Sequence, residues 1–192
     1  MKTNRKAAAL LLVLLLAVSL SIPALAAERS EPMTIQNMDG IGLEEVYAEL
    51  DYIPAPLLRQ FEERGWTLCM DRAYLEQLSR EYGYTCIAAT SYKNKGIYLA
   101  AVSSLVHEFG HFLHYMLDFD GETEALFQAE AQGADFLRAY ARRNFREYFA
   151  DCFAYWVKHR EDRTALALMR EQAPETYHYF KELERGGWEL SA

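Results

Sequence analysis

The sequence predicts an α+β fold in which a small N-terminal sheet with helices packs beside a mainly helical C-terminal subdomain, with a cleft between them. Three observations predict it. Short β-branched and aromatic runs bounded by turn residues fall between residues 66 and 101. Apolar residues recur at helical spacing from Ser103 to the C-terminal end. The breaks between segments are short, with no internal repeat and no low-complexity tract after the N-terminal segment.

The chain begins with Lys2, Arg5 and Lys6, an apolar run over residues 7–20, then Pro23 and the small-residue stretch Ala24-Leu25-Ala26. That is the layout of a secretory signal peptide over residues 1–26, and the run is shorter than a spanning helix requires. Residues 27–40 are polar, contain Pro32 and Gly40, and read as a flexible leader. Residues 41–192 then form one domain.

Within it, "EEVYAELDYIP" reads as a short helix ending before Pro54, and "PLLRQFEERG" as a second stopped by Gly65. "WTLCM" reads as a strand, and Asp71 as the N-cap of a helix from Arg72 to about Tyr82, closed by Gly83. "TCIAATSY" and "GIYLAA" flank Lys93-Asn94-Lys95-Gly96, a hairpin signal with Gly96 at a position suited to positive φ, giving about three strands. Helices are expected over residues 104–117, 122–138, 145–159, 163–172 and 174–184.

The chain of 192 residues has a formal charge of -8, three units more negative without residues 1–26. Such a surface argues against nucleic acid or an anionic membrane as partner. With no other apolar stretch long enough to span a bilayer, the mature protein is expected to be free of the membrane and monomeric. Cys69, Cys86 and Cys152 make an odd count. One Cys69–Cys86 bridge and three buried thiols are both open readings.

"SLVHEFGHFLHYM", residues 104–116, carries the chemistry. Residues four apart on an α-helix share a face, so His107 and His111 can bind one Zn²⁺. Glu108 is offset by about 100° and lies beside the ion, where it can take a proton from the attacking water and pass it to a leaving amine. The bland alternative is an amphipathic helix whose histidines are surface or satisfied core groups. A catalytic zinc needs a third protein ligand. His114 and Leu117 exclude the extended HExxHxxGxxH pattern, which leaves a carboxylate from another helix.

"NFREYFADCFAYW" supplies Glu147 and Asp151, four apart among aromatic residues where carboxylates need a cationic partner. Glu147 on the metal and Asp151 on the free N–H of a ligand imidazole would satisfy both. Alternatively, Glu147 completes a capping box with Asn144, and Asp151 is a solvated surface acid.

"LVHEFGHFL", "REYFADCFAYW" and "APETYHYFKEL" together resemble the catalytic domain of anthrax toxin lethal factor and the small secreted Pro-Pro endopeptidases that share its fold. The resemblance covers roughly residues 40 to 190. It implies a zincin-like fold with the active site in the cleft, one Zn²⁺ per chain held by His107, His111 and Glu147, and Glu108 as general base. It further implies that Tyr140, seven residues before Glu147, stabilises the oxyanion. Asp151 stands where the family often has the longer Glu. "GIYLAA" resembles the family's edge strand, along which an extended peptide substrate pairs. A secreted zinc metalloendopeptidase acting on extracellular or cell-surface proteins is the implied activity, with Pro-Pro cleavage resting on the resemblance alone. The alternatives are a toxin-type protease acting on host proteins and a secreted zinc-containing binding protein without hydrolytic activity.

Overall fold

The protein is described here by a computed structural model that covers residues 33–190; the expected signal peptide and residues 27–32 of the expected leader lie outside the described residues. The first element among the described residues is a strand. β1 (Ile35–Asn37) pairs in parallel with β2 (Thr67–Met70), so the described part of the 27–40 stretch is sheet rather than free leader. Its side chains alternate between half-buried and exposed, and Met38 and Asp39 both donate backbone N–H groups to the Met70 carbonyl. Main-chain pairing to an existing strand holds this polar triplet where its own hydrophobicity would not.

Between β1 and β2 run α1 (Glu44–Leu50) and α2 (Ala55–Glu63), the crossover that a parallel pair requires. Pro54 precedes α2, and Leu57, Leu58 and Phe61 form its buried face. α3 (Arg72–Tyr82) follows β2, with the Asp71 carboxylate accepting from Tyr74 N and Gly83 closing the helix at φ 74°. The chain returns as the antiparallel pair β3 (Ala88–Ser91) and β4 (Gly96–Leu99), and β4 also pairs in parallel with β2.

The sheet therefore has four strands in the order β1-β2-β4-β3, one more than expected. Two details of the hairpin differ from the sequence reading. Lys95, not Gly96, takes the left-handed conformation, at φ 49°. Gly96 begins β4, where an added Cβ would stand 2.9 Å from the Tyr98 ring. Of the two hairpin strands, β3 lies at an edge, because "GIYLAA" contributes β4, which is enclosed between β2 and β3.

After a 3-10 turn at Val102–Ser104, α4 (Leu105–Leu117) runs beneath the sheet with every residue from Leu105 to His114 buried. A helix covered all round belongs in a core. Phe109 and Phe112 pack on Phe61, and Phe112 also on Trp66. α5 (Gly121–Ala131) is shorter than the expected 122–138 helix. Beyond Gly133 the backbone N–H groups of Asp135 and Phe136 are taken by the Gln172 side chain rather than by a continued helix.

A second 3-10 segment (Ala139–Arg143) leads into α6 (Phe145–His159), followed by α7 (Arg163–Gln172) and α8 (Pro174–Arg185). α6 buries Phe145, Phe149 and Phe153 in an aromatic layer with Phe119, Phe127 and Phe180. The "APETY" segment is the start of α8. Its orphan N–H groups at Glu175 and Thr176 donate to the Glu130 carboxylate from α5, which also accepts from the Thr176 hydroxyl. All three cysteines are free thiols, Cys69 and Cys152 buried and Cys86 partly exposed, so the Cys69–Cys86 bridge is not formed.

Candidate metal centre

α4 and α6 approach closely because of one residue. A Cβ placed on Gly110 would stand 2.5 Å from the Ala150 Cα and 2.8 Å from its carbonyl oxygen, so only glycine permits this contact. Gly110 lies between the two motif histidines and Ala150 one turn past Glu147. The crossing therefore carries the carboxylate to the imidazoles.

Nε2 of His107 lies 3.2 Å and Nε2 of His111 3.5 Å from Oε2 of Glu147. Donor atoms of these three residues all fall within 4.8 Å of one another. Both rings are buried, and Oε2 of Glu147 is enclosed without accepting a hydrogen bond. An enclosed carboxylate oxygen facing two imidazole nitrogens is costly unless a cation completes the group. Two His nitrogens and one carboxylate oxygen are also a donor set suited to Zn²⁺, so the residues present fit the ion.

The capping reading of Glu147 is half realised. Its backbone N–H donates to the Asn144 side chain at 3.1 Å, capping α6, while its carboxylate turns to the histidines instead of back to the cap. Burial works to raise the Glu147 pKa, but the His107 and His111 imidazoles beside it hold the carboxyl well below its usual range.

Asp151 is buried, not solvated, and its Oδ1 lies 2.6 Å from Nδ1 of His107. With the Nδ1 proton directed to Asp151, the His107 Nε2 lone pair is presented to the centre. The shorter arm of Asp relative to Glu does not prevent this contact. Arg138, which the sequence reading assigned no role, donates through Nε and Nη2 to the two Asp151 oxygens, each at 2.7 Å. Burial tends to raise the Asp151 pKa, yet these bonds from His107 and Arg138 keep it below the ordinary value.

Glu108 is buried beside the histidines, and the Thr90 hydroxyl on β3 lies 2.6 Å from its Oε2. Thr90 was also missed, because nothing in its sequence context links a strand threonine to a carboxylate 18 residues later. Tyr140 stands across the cleft, 41% exposed, its ring centroid 6.4 Å from that of His107. The Arg138 and Arg143 guanidinium carbons lie 5.1 and 5.0 Å from its centroid. Burial and the nearby Glu147 charge push the phenol pKa up, which keeps it protonated as a donor at neutral pH.

His107, Glu108, His111, Tyr140 and Glu147 line a cleft of about 970 Å³ between β3 and α3 on one side and the 139–147 segment on the other. The third histidine of the motif helix, His114, is absent from it. It is buried against Phe119, Phe145 and Phe149, and its removal from water pushes its pKa down to about 4.

Comparison with known proteins agrees with this architecture. Residues 57–183 match the family described as anthrax toxin lethal factor, N- and C-terminal domain. The chain belongs to this family. Among solved structures it is similar to the Pro-Pro endopeptidase of Paenibacillus alvei, at 15% sequence identity and a TM-score of 0.56, covering 78% of this chain and 96% of that one. No curated protein matches it. The expected family and α+β zincin-like fold are thus borne out.

Proposed function

We infer that the protein is a secreted zinc-dependent endopeptidase that cleaves extended segments of extracellular or cell-surface proteins. The observation that supports this most is the convergence of His107, His111 and Glu147 from two helices, with the Glu108 carboxylate beside them in an open cleft. When bound, Zn²⁺ acts as a Lewis acid that lowers the pKa of water and polarises a carbonyl. Glu108 takes the proton of the attacking water and delivers it to the departing amine, and Thr90 fixes the carboxylate for that exchange. Tyr140 donates its phenol O–H to the oxygen on which negative charge develops. Asp151 keeps His107 in the tautomer that offers Nε2.

The outer edge of β3 has no strand partner among the described residues and borders the cleft. A peptide adding to this edge gains main-chain hydrogen bonds and lays its backbone past Glu108. The Paenibacillus relative is named a Pro-Pro endopeptidase, which makes the Pro-Pro bond the first substrate to test.

Zinc content and cleavage of a peptide library by wild type and Glu108→Ala test the assignment. The variant is expected to keep its zinc and to lose about three orders of magnitude or more in kcat/KM. Equal cleavage by both proteins would remove Glu108 as the base. Zinc retention with no cleavage by wild type would favour a binding role.

A further inference from the structure

The cleft continues past the candidate metal ligands along the sheet, where tyrosine rings and Leu78 line it. Tyr74, Leu78 and Tyr82 of α3 are spaced four apart, which places them on one stripe, and all three line the cleft. Ala89 pairs with Tyr98 across the hairpin, and residues paired in this way point to the same face of a sheet. The Tyr98 ring lies 4.2 Å from that of Tyr74, so Ala89 faces α3. Thr90, the next residue, faces Glu108. Ile87, in the bend just before β3, also lines the cleft.

Tyr82, Tyr84 and Ile87 remain 59%, 65% and 53% exposed. The Tyr82 and Tyr84 rings lie almost parallel, 5.8 Å apart. Large apolar side chains clustered in the open, on the wall of a cleft, mark a surface that gains by being covered. The cluster is continuous with the candidate metal centre, since both line one cavity.

We propose that this tyrosine-lined wall is a side-chain subsite that selects peptides with aromatic or large aliphatic residues at alternate positions. The proposal rests on the endopeptidase reading. Its occupant follows from strand geometry. A peptide hydrogen-bonded along β3 projects successive side chains to opposite faces of the sheet. Those on the Thr90 side meet Glu108 and the histidines, and those on the Ala89 side lie over α3. The wall extends from Ala89 past Ile87, so it receives two substrate residues separated by one. None of its six side chains is charged, so a charged residue there would lose water without gaining a counter-ion.

The test uses zinc-loaded wild type, Tyr82→Ser, Tyr84→Ser and, as an outward-facing control on α3, Glu76→Ser. Each is incubated with a fluorescence-quenched peptide library randomised at every position, and cleavage sites are read by mass spectrometry. Wild type and the control are expected to enrich Phe, Tyr, Trp, Leu and Ile at two positions two residues apart on one side of the cut bond. Selectivity over Ser should be on the order of tenfold in kcat/KM per position. Tyr82→Ser and Tyr84→Ser should flatten that preference, which Glu76→Ser retains. Cleavage without the apolar preference, or with a preference both variants retain, overturns the subsite and leaves the endopeptidase reading standing. If wild type cuts no peptide, both fall.

Discussion

Arg138 holds both oxygens of Asp151 in a two-pronged grip at 2.7 Å, and Asp151 passes that constraint to His107 at 2.6 Å. Orientation of the His107 imidazole, a candidate zinc ligand, is thus set by a residue outside the motif helix. Partners of this kind are worth about 10- to 100-fold in metal affinity. Arg138→Gln is expected to weaken zinc binding within that range, with Arg138→Lys intermediate because an ammonium keeps the charge and loses the fork. Competition against a chromogenic chelator measures this, and unchanged affinity in Arg138→Gln would show the grip to be incidental.

Glu147 contributes its backbone to the α6 cap and its carboxylate to the centre, and the two contributions separate by mutation. Asn144→Ala is expected to cost about 1 kcal/mol of stability and leave zinc affinity nearly intact. Glu147→Ala should do the reverse, lowering zinc retention on dialysis with little change in the melting of the metal-free protein. If Glu147→Ala keeps its zinc, the third ligand has been misassigned.

Without metal, His107 gains a proton readily. Burial pulls its pKa down, but the hydrogen bond with Asp151 and the nearby Glu147 carboxylate outweigh this and push it up to about 9. Zinc must displace that proton, so its affinity should rise roughly tenfold per pH unit between pH 7 and 9 and then level off. The metal-free fold behaves oppositely. A pKa raised from 6.5 gives stability that is complete below about pH 6.5 and fades as pH climbs through 9. Titration calorimetry and thermal melting across that window should show the two slopes with opposite sign. Zinc affinity that is flat from pH 7 to 9 would contradict the protonated ring.

Gly110→Ala places a methyl group against the Ala150 backbone, which cannot yield as a side-chain tip can. Overpacking of this kind costs about 1–3 kcal/mol, and forcing α4 and α6 apart should also weaken zinc binding. Ala150→Gly removes only the Cβ at 3.0 Å and leaves the Cα and carbonyl oxygen in place, so the double variant should recover little. If Gly110→Ala alone melts like wild type with normal zinc content, the close crossing is not what sets the site.

Elements with strong local signals were legible in the sequence. α6 runs over residues 145–159 as expected because Asn144 caps it and the aromatic spacing continues unbroken to His159. β1 was not legible, since Ile-Gln-Asn carries no apolar run and is held by a partner 33 residues away. Nor could a hairpin reveal which of its strands lies at the edge, because that depends on β2 choosing β4. In the candidate site, His107, Glu108 and His111 follow from spacing on one helix. Arg138 and Thr90 do not, because each reaches a carboxylate on a different element. The overrun of α5 hid Arg138 further, by placing it at the end of a helix that stops at Ala131.

The three donors lie on two helices separated in sequence by the whole of α5, so an unfolded chain offers no preformed nest for the ion. Zinc held by this trio would therefore bind the native form almost exclusively, and mass action would tie endurance to supply. At free zinc about a hundredfold above the dissociation constant, the native form gains roughly 2.7 kcal/mol over its stripped counterpart. Scarcity of the ion would then disarm the protein and shorten its lifetime together.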